Sequence, residues 1–507
     1  MSHAASAKPE APAAAVTDVV IIGAGLSGIG AACHLQRNCP GKSFSILESR
    51  SSIGGTWDFF RYPGLRSDSD MYTLGYNFKP WLEAKSIAEG ATILKYVKET
   101  AAENGIDRHI RYDHRLQHAS WSSADALWTL DIRHADGSSS QLRCNFLLMC
   151  AGYYSYTGGN TPRFKGRERF SGKIVHPQQW PEDLDYRGKR VVVIGSGATA
   201  VTLVPVLARD AAHVAMLQRS PTYMFAAPDI DRIARVLRKL LPPKLAYAAT
   251  RWKNINFQRV TYNRARNKPE QVKKMLVDRV RTELGPDFDV EKHFSPAYKP
   301  WDQRVCLVSN SDLFGAVKSG RVSMVTDEIE CFTEQGILLK SGEELAADII
   351  VTATGLNPAL MGEATVSVDG ELVDVASRFS YRGVMLSDVP NLASVFGYIN
   401  ASWTLRADLI SEYVCRLLQH MDQTGARQCT PRLRPEDRNM SPRPMIEDFS
   451  AGYMQRMLPL YPRQGDHAPW MSPQDYAFDK KSFRHGAIED GVLQFTNPAA
   501  ARQRRAS

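Results

Sequence analysis

Two short glycine runs, far apart in the chain, are the first residues whose type and spacing point to chemistry. Gly23-Ala24-Gly25-Leu26-Ser27-Gly28 follows an apolar, β-branched run beginning at Asp18 and precedes an Ala-rich stretch at helical spacing that reaches Gln36. Strand, tight turn and helix open a dinucleotide-binding βαβ unit. The first glycine permits the turn, the second lets backbone approach a pyrophosphate, and the third lets helix pack on strand. The helix N-terminus adds N–H donors and positive potential. The stretch from Lys189 to Ala208 repeats the design with Gly195, Ser196, Gly197, Ala198, Thr199 and Ala200, followed by Val201; alanine in the third place is tolerated.

The ends of the next strands tell the two turns apart. Glu48 closes FSILES, twenty residues after Gly28. A carboxylate there accepts both hydroxyls of an adenosine ribose and repels a 2′-phosphate, so the first turn suits FAD or NAD. HVAMLQRS ends in Gln218-Arg219-Ser220 without an acid; Arg219 suits a 2′-phosphate, with the Ser220 hydroxyl beside it. FAD at the first turn and NADPH at the second is the economical assignment.

Two further motifs separate oxygenases from reductases. One is Gly54-Gly55-Thr56-Trp57, then Tyr62-Pro63-Gly64, then Asp68; the other is FSGKIVHPQQWP, with Phe170, Gly172, His176, Trp180 and Pro181. Together they resemble, at every specified position, the two fingerprints of type I Baeyer–Villiger monooxygenases. The segments RYPGLRSDSDMYTLGY, GSGATAVTLVP, WDQR and ASWTL look closest to the ethionamide-activating subgroup. The resemblance covers nearly the whole chain from Asp18 onward. It implies that Gly55, Thr56, Trp57, Asp58 and Phe59 lie along the flavin, with Arg66, Ser67, Asp68 and Leu116 among the cofactor contacts. It also implies that the Asp68 position hydrogen-bonds an arginine over the flavin, matched here by Arg304. His176, just before the second turn's strand, suits a hinge better than a general base; a capping or packing histidine is the plainer alternative. Where lysine is common in the family this chain has Gln303, which leaves Arg219 to set the coenzyme preference.

The implied reaction consumes NADPH and O2. Reduced flavin captures oxygen as a C4a adduct, and one oxygen atom enters a ketone to give an ester or lactone, with sulfides as further substrates. The alternative is a flavin monooxygenase confined to sulfur or nitrogen oxidation. A disulfide reductase is disfavoured, because the eight cysteines include no C-x-x-C pair.

These residues need two Rossmann-like dinucleotide-binding domains of α/β class, one inserted in the other. The first, FAD-binding, is expected over 17–165 and 345–500, with ADIIVTATGLNP marking the return to it. A linker spans 166–188, and the NADP-binding domain 189–344 includes a helical insertion at 228–300. Residues 1–16 and 501–507 read as disordered tails.

With 507 residues, 43% of them hydrophobic, the chain has the composition of an ordinary globular protein. No secretory signal or apolar run of spanning length is readable, so a cytoplasmic location is expected. The net charge of +9 reads as basic residues spread along the chain without a nucleic-acid motif. Metal sites are not expected, and the thiols read as reduced and mostly buried. Ile230, Ile233, Leu237, Leu240 and Leu241 approximate one helical face beside Arg232, Arg235, Arg238 and Lys239. Packing against the NADP domain is the expected use of that face, and peripheral contact with the inner surface of a membrane is the alternative. Oligomeric state and natural substrate have no readable signal.

Overall fold

The strand Val16–Ile22 sits in the middle of a nine-stranded sheet, parallel to Phe44–Leu47 on one side and Ser139–Met149 on the other. The computed structural model describes residues 16–447 and 449–498. Positions 1–15 and 501–507, read as tails, lie outside that range, and Val16 already belongs to the first strand. Side chains of Val16–Ile22 alternate between two cores, as the pleat requires. Val19 and Ile21 pack with the helices Leu26–Asn38 and Trp403–Thr424, while Val20 and Ile22 pack with Trp121 and Trp128 of an antiparallel meander. That meander, His114–Ser122 and Leu127–His134, joins Ser139–Met149 to Thr365–Val368, so the sheet recruits strands from both ends of the chain.

A second, five-stranded sheet is wholly parallel: Val322–Thr326, His213–Gln218, Arg190–Ile194, Ile349–Thr352, Lys173–Val175. Two strands depart from the sequence reading. Ile349–Thr352, expected to mark the return to the first sheet, lies inside the second, and Lys173–Val175, expected in the linker, forms its edge. All four residues of Ile349–Thr352 are buried, as a strand covered on both faces of a parallel sheet must be. The next first-sheet strand is Thr365–Val368.

Four helices, Arg232–Leu240, Pro243–Asn267, Pro269–Leu284 and Val290–Phe294, occupy the expected insertion. Asp231 caps the first by accepting the Ala234 N–H at 2.9 Å, and Pro242-Pro243 breaks the chain before the second. Its apolar face does not pack as expected. Only Ala234 is buried, and Ile233 and Leu240 stand 55% and 74% exposed. The helix is held instead by polar ties: Lys253 to Asp231 at 2.6 Å, and Arg238 to the Leu82 and Glu83 carbonyls. The long helix Pro243–Asn267 docks on the first unit, where Arg251 donates to the Tyr72 and Gly75 carbonyls and pairs with Asp408 at 3.3 Å. Among the described residues, no helix is long and apolar enough to cross a membrane, and no His, Cys, Asp and Glu side chains cluster to hold a metal. Seven of the eight cysteines are buried and all are unpaired.

Candidate active site

A cavity of about 1210 Å³ runs from the first glycine turn to the second. At the first turn, a Cβ on Gly28 would meet the Gly23 carbonyl oxygen at 1.9 Å, so only glycine lets the helix start so close to the strand. Gly28 therefore shapes the turn without lining the cavity, which Gly23, Gly25 and Ser27 do line. Glu48 is buried beside them. One carboxylate oxygen accepts the Ala24 N–H at 2.8 Å and the other the Arg50 N–H at 3.0 Å, each keeping a lone pair for a ribose hydroxyl. Burial pushes its pKa up, partly offset by those two backbone donors.

Gly55, at φ +53°, brings its backbone against Gly25; a Cβ there would stand 3.0 Å from the Gly25 Cα. Thr56 and Trp57 line the cavity, and the Thr56 hydroxyl meets the Tyr154 hydroxyl at 2.7 Å. Asp58 and Phe59, expected along the flavin, are not among the residues that line the cavity. Burial alone would raise the Asp58 pKa, but hydrogen bonds from Ser52 and Arg50 and the charges of Arg50 and Arg61 hold it below its ordinary value. Phe59 stacks on Tyr156 at 4.3 Å. The helix Thr56–Phe59 is a single turn, in which residues two apart point to opposite sides, so Thr56 and Trp57 meet the cavity and Asp58 and Phe59 do not.

At the second turn Gly195, Ser196, Gly197, Ala198 and Thr199 line the cavity, whereas Ala200 and Val201 face the core. Arg219 and Ser220 stand at its rim. Acids lie there after all: the strand parallel to His213–Gln218 delivers Asp327 and Glu328 to the same wall. Lys340 engages Glu328 at 2.5 Å, while Arg219 forms no ion pair among the described residues.

Between the turns lies Arg304. Its guanidinium donates to Asp68 at 3.3 Å and, through Nε, to the Tyr453 hydroxyl at 3.2 Å. The Arg304 side chain is 37% exposed, and the cavity is what it borders. Tyr453 and Asp68 both push the Arg304 pKa further up, so the charge is permanent. Asp302, two residues earlier, takes Arg266 at 2.7 Å, and its carbonyl accepts the Ser450 N–H at 2.7 Å, tying the Arg304 loop to the segment that carries Tyr453. Arg66 grips Asp312 at 2.6 Å across the two units; Ser67, Leu116 and Gln303 also line the cavity.

His176 lies outside it. Its Nδ1 accepts the Gln178 N–H at 3.1 Å, so Nε2 carries the proton and donates to the Gly355 carbonyl at 3.1 Å. Burial lowers its pKa. It is a neutral cap joining the edge strand to the crossover after Ile349–Thr352.

Sequence reasoning missed Tyr453, Tyr153 and Tyr154. It also gave no role to Trp403, which sits within ASWTL, stacks on Tyr153 at 5.4 Å and donates to the Ser27 hydroxyl at 2.8 Å. Composition offers no signal for the tyrosines.

The model of flavin-binding monooxygenase-like proteins matches residues 85–373, and that of the NAD(P)-binding Rossmann-like domain matches 21–81. The chain is 53% identical to the FAD-containing monooxygenase EthA of Mycobacterium tuberculosis over 95% of its own length and 98% of that protein's. It is 45% identical to the probable FAD-binding monooxygenase AlmA of Acinetobacter baylyi, over 94% and 96%. Among solved structures, an oxidized steroid monooxygenase bound to NADP superposes with a TM-score of 0.76 at 22% identity, over 95% of this chain and all of that one. The fold is thus that of a two-dinucleotide flavoprotein, and the chain belongs to the flavin-binding monooxygenase-like family, as a monooxygenase with an NAD(P)-binding Rossmann-like domain.

Proposed function

We propose that the chain is a Baeyer–Villiger monooxygenase that binds FAD at the first turn and NADPH at the second, inserting one atom of O2 into ketones to give esters or lactones. Sulfides are substrates of the same site. The residues fit the two cofactors. The Gly25–Gly55 contact leaves a cradle that any side chain would narrow, Glu48 suits an unphosphorylated ribose, and Arg219 with Ser220 suits a phosphorylated one. Bound FAD, reduced by NADPH, supplies the oxygen activation.

The chain's own residues handle charge and geometry. The observation that carries the reading is Arg304, a fixed cation between the two turns, held by one carboxylate and one phenol. Negative charge that develops on oxygen at the reacting centre meets a guanidinium already aimed, with little reorganisation. Asp68 and Tyr453 act by orienting that guanidinium. Tyr153, Tyr154 and Trp403 wall the cavity with aromatic surface and help exclude water.

The test is product analysis of purified holoenzyme with NADPH, O2 and a panel of ketones and sulfides. Esters or lactones from ketones support the reading. Sulfoxides or N-oxides alone, with every ketone returned unchanged, would replace it by a monooxygenase restricted to sulfur or nitrogen.

A further inference from the structure

The cationic excess of the chain is not spread out; it lies in one helix pair. Residues 232–267 contain ten Lys and Arg and no Asp or Glu, so the other 471 residues hold 53 basic against 54 acidic side chains. The same stretch exposes apolar surface. Eight of the fourteen exposed large hydrophobic side chains among the described residues fall within it. On Arg232–Leu240, Ile233, Val236 and Leu240 recur at helical spacing and stand 54–74% exposed. On Pro243–Asn267, Leu245, Trp252 and Val260 form a second stripe at intervals of seven and eight residues, 59–70% exposed, with Phe257 beside it.

Some of the ten cations are spent within the fold: Arg251 on Asp408, Lys253 on Asp231, Arg259 on Asp475 at 3.8 Å, and Arg266 on Asp302. Among the described residues, Arg232, Arg235, Lys239, Lys244 and Arg264 form no ion pair. Beside the second stripe, a cleft of about 560 Å³ is lined by Lys244, Arg259 and Lys480 together with Trp252 and Ile255. Its chemistry suits an anionic headgroup above apolar chains.

We propose that this helix pair docks the enzyme on an anionic phospholipid surface, with the apolar stripes in the acyl boundary and the free cations at the headgroups. Exposed aliphatic and aromatic side chains flanked by Lys and Arg, in helices that do not span, are the composition of an in-plane membrane helix. Charge argues against the two other occupants of such a face. A second copy would bring like-charged cations together across an isologous interface. Nucleic acid would match the cations but leave the stripes unused.

The inner side of the long helix binds the active-site framework. Asn254 and Gln258 donate to Asp70 at 2.8 and 3.0 Å, two residues beyond Asp68, and Arg266 reaches Asp302, two before Arg304. The lipid-facing surface and the reactive cation are thus mounted on one element.

The experiment is co-sedimentation of the FAD-loaded enzyme with vesicles of phosphatidylcholine alone or with phosphatidylglycerol, at low and high salt. Two variants are compared: Arg235→Gln/Lys239→Gln/Lys244→Gln, and Leu240→Ser/Trp252→Ser. All substituted positions are exposed, and unchanged melting temperature and FAD content confirm folding. We expect binding to phosphatidylglycerol vesicles that salt weakens, lost on the order of 100-fold in the triple charge variant at about fivefold per cation, and lost also in the apolar variant. Equal binding to both vesicle types would overturn the proposal. So would absence of vesicle binding, whether or not light scattering shows a dimer that Leu240→Ser/Trp252→Ser dissociates. Retention on nucleic acid that survives Leu240→Ser/Trp252→Ser, without vesicle binding, would overturn it in favour of that ligand.

Discussion

Replacing Arg304 by alanine removes the cation that Asp68 and Tyr453 hold between the two glycine turns, and the geometry sets the size of the effect. The guanidinium is held at two points, 3.3 Å from Asp68 and 3.2 Å from Tyr453. Loss of a preorganised electrostatic donor costs on the order of 10²–10³ in rate, about 3–4 kcal/mol. Arg304→Ala should therefore keep its FAD and still oxidise NADPH when mixed anaerobically, while ester formation falls by that factor. Asp68→Ala and Tyr453→Phe each leave the cation with one anchor. Each should lose on the order of tenfold, about 1.4 kcal/mol. Asp68→Ala/Arg304→Ala should fall little below Arg304→Ala, because the carboxylate acts only through the arginine. The assay pairs stopped-flow flavin reduction with chromatographic ester quantification. Ester formation by Arg304→Ala at near wild-type rate, or a double variant far slower than Arg304→Ala, would refute the assignment of the cation and its holder.

Other consequences follow from single contacts. Arg219→Ala should raise the KM for NADPH at least tenfold and leave that for NADH nearly unchanged, measured by steady-state NAD(P)H oxidation; equal losses would mean Arg219 does not read the phosphate. Gly55→Ala forces a Cβ to 3.0 Å from the Gly25 Cα at positive φ and should lower FAD retention through gel filtration without unfolding the chain. Arg406→Leu strands the buried Asp479 it pairs with at 2.9 Å and should cost about 3–5 kcal/mol in denaturant unfolding. His176 favours its neutral form in the fold, its pKa lying below the ordinary 6.5. Its contribution is therefore complete above that value and is lost as pH falls below it; His176→Asn should flatten the fall in melting temperature on that acid side.

Local features of the fold were readable because their causes are local. Each glycine turn is flanked by an apolar β-branched run and an Ala-rich helix within about twenty residues, and Glu48 falls where the next strand must end. Residues that meet across the fold were not. Asp68 and Arg304 are 236 positions apart, and only a family resemblance joined them. Tyr453 lies 149 positions beyond Arg304 in a stretch with no regular pattern. That Asp58 meets Ser52, Arg50 and Arg61 was not readable, because the phase of a one-turn helix is not written in spacing alone. Ile349–Thr352 is apolar enough to be buried in either sheet, and its parallel register with Arg190–Ile194 and Lys173–Val175 decides which. The acids beside Arg219 come from the neighbouring strand, where a search of one strand end cannot find them. The outward apolar face of Arg232–Leu240 was read as a packing face because amphipathicity specifies a face without specifying what meets it.

The most direct measurement is isotopic. The holoenzyme is supplied with NADPH, a cyclic ketone and ¹⁸O₂, and the lactone is analysed by mass spectrometry. Insertion at the Arg304 site predicts one ¹⁸O atom per lactone, with one NADPH and one O2 consumed for each. Ketone recovered intact while NADPH is spent on hydrogen peroxide, or lactone free of ¹⁸O, would contradict it.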